Sequence, residues 1–409
     1  MTNESRLGGL FFTVTMATLT ALLLLPSAPC SADKESSPVP PEPALNLHFA
    51  CRADNDLYRV MTADGSKYAR HTTASKAVQA APEGGGVLIL ADGYPEKTTN
   101  ITGTLLDEAS KRKLRLYIEY PAGSAIDGLE FGEPQKPNWA RTVVATDFFG
   151  RDLEKLRVLQ INDCHFLPVT LKGAPAHLVS SRVAGYDSAV YGLTEESWPL
   201  LFEHEVDQGS VLIATTKLSQ FVSARYAPGD DWATVWCSIL SWLSPGEKVT
   251  PLQWTATVRP SFDRDTPLPS NEEAKSLKRG VKWFDNFLVG ESWSADLAQP
   301  SDDTYGPTDP RRRTGLPCGD GRHGILEGHI SKIFTDGSQP MRWLLRGDCN
   351  AESAMAFALG GHLHNELDQQ KVAANLMDFV YFSSDLYRSD PNSPTYGLLG
   401  WYSYRSGPD

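Results

Sequence analysis

The sequence predicts an α/β plus α protein: a doubly wound, mostly parallel sheet followed by an incomplete array of helices. Three observations predict it. From residue 45 to 245, wholly apolar runs alternate with amphipathic stretches. A strand apolar at every position is buried on both faces, the habit of parallel sheets covered by helices. Residues 246–270 are rich in Pro and interrupt the alternation. From residue 271 the apolar residues recur at helical spacing.

The elements of the first part follow in order. LNLHFAC (45–51) is the first strand, 75–81 a helical piece and GVLILAD (86–92) a fully apolar strand. LLDEASKRK (105–113) reads as a helix and LRLYIEY (114–120) as the next strand. RTVVATD (141–147), KLRVLQI (155–161) and SVLIATT (210–216) are further strands, and DWATVWCSILSWL (231–243) has a strong helical stripe. A flavodoxin-like sheet accommodates this order. Ligands of such sheets sit at the carboxyl ends of the strands, here 92–95, 119–121 and 215–220.

The second part begins after one strand-like run, QWTATVRPSF (253–262). Helices are expected over 272–288, 323–334, 341–359 and 368–386, with a loop at 302–322. The turn DGSQP (336–340) separates the middle two. Charges interrupt both apolar patterns: Glu327 in the first, and Arg342, Arg346, Asp348 and Glu352 in the second. An ion is costly to bury unless paired or used. Two readings stay open: a salt-bridged helix pair with Arg342 and Arg346 facing the carboxylates, or a polar ligand site.

The first 32 residues read as a secretory signal peptide. Arg6 precedes an apolar run over 10–25, then Pro26, Ser27 and Ala28, with cleavage after Ala28 or Ala32. Residues 33–44 form a Pro-rich tether. Export to the periplasm or the extracellular space is the expectation. Lipidation of Cys30 is the alternative, though Pro29 fits poorly before it. No later segment is apolar enough to span a bilayer. A net charge of −12 argues against a nucleic-acid partner, because phosphate binding needs a basic face. Beyond the signal, Cys51, Cys164, Cys237, Cys318 and Cys349 match no zinc or redox spacing, so free thiols are expected, with one disulfide left open.

Several chemistries lack their motif. An α/β nucleophile needs a strained Gly-x-Cys/Ser-x-Gly elbow, whereas the corresponding turn is EYPAGSA (119–125), with Ser124 outside any elbow. No Gly-x-Gly-x-x-Gly follows a strand, the glycines at 84–86 precede one, and no P-loop occurs. Cys164 and His165 are adjacent, so on a strand they face opposite sides. His323, Glu327 and His329 do not form H-E-x-x-H, and His362 and His364 are two apart. No metal or cofactor is expected.

The first part, through the strand, loop and Trp-rich helix of 210–243, resembles the class I glutamine amidotransferase-like superfamily. The Cys motif of true amidotransferases is absent. The resemblance therefore implies a degenerate domain over 45–245, used for packing or for ligand binding at 92–95 and 119–121. In the second part, GDGRHGILEG (319–328), 336–357 and SPTYGLLGW (393–401) are similar to six-hairpin glycosidases, which are α/α toroids. A closed toroid needs about twelve helices, and 271–409 has room for about four or five, so an incomplete, truncated domain is expected. The whole layout is similar to exported proteins of polysaccharide-degrading bacteria. It implies a glycoside hydrolase acting on an oligo- or polysaccharide, or else a non-catalytic glycan binder. Glycoside hydrolysis uses two carboxyl groups. The candidates are Asp348, Glu352, Glu327 and Asp336, with Arg342 and Arg346 to hold a sugar carboxylate and Trp343, Tyr396 and Trp401 as sugar platforms.

Overall fold

The computed structural model describes residues 45–122, 126–137, 140–173, 175–206, 209–257, 259–262, 266–291, 305–306, 318–329, 341–342 and 344–403. The signal peptide and tether lie outside these residues, as do Asp336 and Trp343.

One ten-stranded mixed sheet organises the first part. Its parallel half begins with β1 (Leu47–Ala50), β2 (Ala69–His71), β3 (Gly86–Ile89) and β4 (Arg115–Glu119). These are joined by helices α1 (Asp56–Thr62), α2 (Ala74–Ala80) and α3 (Gly103–Lys111). Each helix opens on a side-chain cap, from Asn55, Thr73 and Thr102, which satisfies amides the first turn leaves bare. The strand β9 (Gly209–Ala214) completes this half, pairing parallel to β4.

The other half is antiparallel and corrects the expected doubly wound, mostly parallel, flavodoxin-like sheet. It comprises β5 (Arg141–Val144), β6 (Val158–Ile161), β7 (Ala176–Ser181), β8 (Ser197–Val206) and β10 (Tyr226–Ala227). The order across the sheet is β10-β6-β5-β7-β8-β9-β4-β3-β1-β2. The reason lies in the connections. Parallel neighbours need a crossover, usually a helix. Among the described residues between β5 and β9 the helical structure is a 3-10 segment at Asp147–Asp152, so these strands fold back on one another.

Helices cover both faces of the parallel half. On one face α1 packs beside α4 (Gly229–Leu243), whose Trp232 and Trp236 are fully buried against Tyr226, Tyr117 and Phe221. On the other, α2 and α3 bury Ala77, Val78, Leu105 and Leu106 under Val87, Ile89, Ile118 and Ile213. The run 253–262 is not a strand. Trp254 instead packs on Phe221 at 4.4 Å, and the Thr257 amide donates to the Val222 carbonyl.

The second part does not form the start of a toroid. Its helices among the described residues are α5 (Glu272–Phe284), α6 (Gly347–His364) and α7 (Leu367–Phe382). A single core around Phe287, Ile325, Phe357, Leu376 and Phe379 joins them. Around the helices lie short strands: β11 (Tyr305–Gly306), β12 (Gly328–His329), β13 (Met341–Arg342), β14 (Leu345–Arg346) and β15 (Tyr402–Ser403). So the described parts of 323–334 and 341–345 are not helical. Gly324 and Gly328 take φ of +80° and +90°, left-handed values that end a helix. On α6, Met355, Leu359 and Leu363 are exposed along one face. Among the described residues no helix is long and apolar enough to cross a membrane. Cys51, Cys164, Cys237 and Cys349 are free thiols.

His177, on β7, makes this fold pH-sensitive. Its ring stacks on Phe148 at 4.1 Å and its Nδ1 meets Thr146 Oγ1 at 2.9 Å, while Nε2 is buried with no hydrogen-bond partner among the described residues. Burial lowers its pKa from 6.5 to about 4. Above pH 6.5 the folded and unfolded chains are both neutral at this residue. Below it the unfolded chain takes a proton that the fold refuses. Stability should therefore fall by roughly 2–3 kcal/mol as pH drops from about 6.5 to about 4. Urea unfolding of wild type and His177→Phe at about pH 7 and about pH 4.5 checks this. Equal pH dependence in both proteins would exclude His177 as the cause.

Candidate functional site

Two polar clusters stand out, one in each part of the chain. The first gathers most of the sequence-predicted residues. Glu327 precedes β12, and its amide donates to the Leu344 carbonyl at 2.8 Å. Arg342 lies on β13, opposite Gly328. Arg346 ends β14 and pairs with Tyr402 across β15, while the Gly347 amide donates to the Trp401 carbonyl. The fully buried Asn350 links strand to helix: its Oδ1 accepts from the Ile325 amide, and its Nδ2 donates to the Ile325 and Arg346 carbonyls.

The charges pair within this frame. Glu327 Oε1 accepts from Arg342 Nη1 at 2.9 Å and from Arg346 Nη1 at 3.0 Å. Its Oε2 is buried with no hydrogen-bond partner among the described residues. Arg346 turns its Nε and Nη2 to the two oxygens of Asp348. Burial alone would raise the Asp348 carboxyl, but Arg346 and the Cys349 amide outweigh it and hold it below the ordinary carboxylate value. Arg346 is in turn held above its usual value, chiefly by Asp348. Its guanidinium carbon lies 5.0 Å from the Trp401 ring centroid, within cation–π range.

The structure thus brings Glu327, Arg342, Arg346, Asp348 and Trp401 together, but not on one helix pair as the pattern implied. Glu352 stands one turn beyond Asp348 on α6, exposed, in none of the ion pairs. Tyr396 is exposed in the turn whose Tyr396 amide donates to the Ser393 carbonyl.

The second cluster sits where the parallel strands end. Glu119, the last residue of β4, is fully buried and accepts five hydrogen bonds. Oε1 takes the amides of Leu218 (3.0 Å) and Ser219 (2.7 Å) and the Tyr117 hydroxyl (3.0 Å). Oε2 takes the Ala91 amide (3.1 Å) and the Ser219 hydroxyl (2.8 Å). Burial pushes the Glu119 carboxyl up, and Lys217 and these donors oppose that rise. Asp56, at the start of α1, accepts from the Val222 amide, the Ser223 amide and the Ser223 hydroxyl. The sequence marks 119–121 as a strand end for ligand binding and gives Asp56 no role; the structure uses Glu119 to hold the chain at 218 and 219. The available signal was an acid closing the apolar run LRLYIEY.

The thiols here are poor nucleophiles. Burial raises Cys51 to about 12 and Cys164 to about 11. The Cys164 Sγ faces Thr216 Oγ1 at 3.6 Å, and the His165 Nδ1 meets the Asp163 carbonyl, so the neighbours do not form a dyad.

Neither a protein-family model nor a curated protein matches the chain. Among solved structures it is similar to Agd3, titled a novel carbohydrate deacetylase, at 10% identity and a TM-score of 0.35, over 70% of this chain and 49% of that one. It is similar to a β-galactosidase from Bacillus circulans sp. alkalophilus at 8% identity and a TM-score of 0.28, over 42% and 29%. It is also similar to the exo-β-1,4-mannosidase Op5Man5 from Opitutaceae bacterium strain TAV5, at 12% identity and a TM-score of 0.25, over 43% and 32%. The chain spans less than half the length of each. At these scores none of the three sets its fold or its activity.

Proposed function

We propose that this protein is an exported carbohydrate-binding protein that takes a sugar ring on Trp401. The observation that supports it most is the shelf at β14 and β15. Trp401 is 59% exposed, and beneath it lies a guanidinium that Glu327 and Asp348 hold still. A fixed aromatic face with charged neighbours suits a sugar, whose C–H face is apolar and whose rim is hydroxylated. Export follows from the signal-like first 32 residues. Binding fits this geometry better than hydrolysis. Asp348 has both oxygens on Arg346, and Glu327 shares two guanidinium groups. Asp348 has no oxygen left over, and Glu327 is held by two guanidinium groups at Oε1 with Oε2 buried, so the two do not form the acid–base pair that hydrolysis requires.

A glycan array followed by titration of a bound oligosaccharide tests the proposal. Trp401→Ala should weaken binding by about tenfold or more, the scale of losing a central aromatic contact. The proposal fails if no glycan binds, or if Trp401→Ala binds like wild type.

A further inference from the structure

Helix α6 packs one face and leaves the other bare. Asn350, Ser353, Ala354, Phe357, Gly360 and Gly361 are buried on its inner side. On its outer side Met355, Leu359 and Leu363 are 60%, 51% and 63% exposed. Glu352 and His362 are exposed beside them. Positions 352, 355, 359 and 362 alternate three and four apart, the spacing of a seam along which one helix meets another. Apolar residues exposed singly need no partner, but a contiguous stripe rimmed by polar groups marks an interaction surface.

The side chains of this seam say what fits it. A two-fold axis at the level of residue 357 turns the helix end for end. It sets Met355 on Leu359 of a second copy, so the apolar centres meet. The same axis sets Glu352 on His362 of the second copy, and an imidazole donates to a carboxylate whether it is charged or neutral. It also sets Leu363 against Ala351, and Ala356 against Ala358, so small residues lie where the backbones must close up. Parallel pairing would instead bring two Glu352 carboxylates together at one end, a juxtaposition that costs affinity. The next acids outward, Asp348 and Glu366, are each neutralised within their own copy, by Arg346 and Lys278.

We infer that the outer face of α6 is a contact between two copies of this chain, packed antiparallel across a two-fold axis. Apolar match, charge match and size match all follow from that one axis, as an isologous contact requires. The pairing makes no use of a sugar, so it can fail while the carbohydrate reading stands.

Sedimentation velocity of the full chain from about 1 µM to about 200 µM tests it, against an expected dissociation constant on the order of 10 µM, since a seam on one helix is small for a permanent dimer. Leu359→Lys sets a charge on Met355 at two symmetric points and should weaken association by about tenfold or more. Glu352→Lys should weaken it by roughly threefold to tenfold, and adding His362→Glu should restore it close to wild type, because the pair is then reversed rather than lost. Tyr186 is 93% exposed elsewhere on the chain, and Tyr186→Ser should leave association unchanged. All these side chains face water, so each variant should melt close to wild type. A wild type that stays monomeric across the range overturns the inference and leaves the face to some other partner. A dimer that Leu359→Lys leaves intact overturns it too, and so does a charge-reversed double variant no tighter than Glu352→Lys.

Discussion

Glu119→Ala should destabilise the sheet by roughly 3–5 kcal/mol, the cost of leaving buried partners of a charge unsatisfied. Three amides and two hydroxyls would lose their acceptor in a site with no exposure to water. Total stability is usually about 5–15 kcal/mol, so this one change should move the urea midpoint by a large fraction of its value. Glu119→Gln should fall between wild type and alanine, because one amide oxygen still accepts while the new NH2 group faces donors. The same variants should release the 218–219 turn. If Glu119→Ala unfolds within about 1 kcal/mol of wild type, the carboxylate is not the hub of this loop.

Arg346→Met should cost roughly 2–3 kcal/mol, and almost all of it should come from Glu327. The two halves of the Arg346 network differ in exposure. The Asp348 side chain is 45% exposed, so that pair contributes little. The Glu327 side chain is only 14% exposed and would keep Arg342 alone. Loss of the Trp401 contact adds about 0.5–1 kcal/mol at such a site. A double-mutant cycle separates these contributions. In a Glu327→Gln background the Arg346→Met penalty should shrink by more than about 1 kcal/mol, and in an Asp348→Asn background by much less. Additive penalties with Glu327→Gln would show that the buried pair is not what Arg346 supports. Binding of an oligosaccharide should fall with Arg346→Met too, since the shelf under Trp401 is gone.

The parts of this molecule that read correctly are those whose burial is uniform. Gly86–Ile89, Arg115–Glu119 and Gly209–Ala214 have apolar centres buried on both faces and lie where the pattern put them. Strand direction is not written in periodicity. The available sign was the absence of any amphipathic stripe between 161 and 197, which leaves no crossover for parallel pairing. β8, SWPLLFEHEV, escaped notice because its ends are half-exposed and polar and because it carries Pro199. In the second part, apolar residues near helical spacing hid Gly324 and Gly328, whose left-handed backbone forbids a helix there. The grouping of Glu327, Arg346 and Asp348 was legible as charge among apolar residues. Its meaning as a paired network, and the reach of Trp401 back to Arg346, depend on strands of two residues each, too short to leave any periodic trace.

β9 belongs to both halves of the sheet, pairing with β4 on one side and β8 on the other. During synthesis β4 emerges long before β9, so the open edge of β4 must wait while β5 to β8 are made. A nascent chain carries an unsatisfied strand edge with the apolar centre Leu116–Ile118 through that interval, the kind of template that invites pairing with other chains. Completion depends on one contact between residues far apart in sequence, which makes assembly slow by nature. The fold therefore has a long vulnerable window on the ribosome, closed by six residues, Gly209–Ala214.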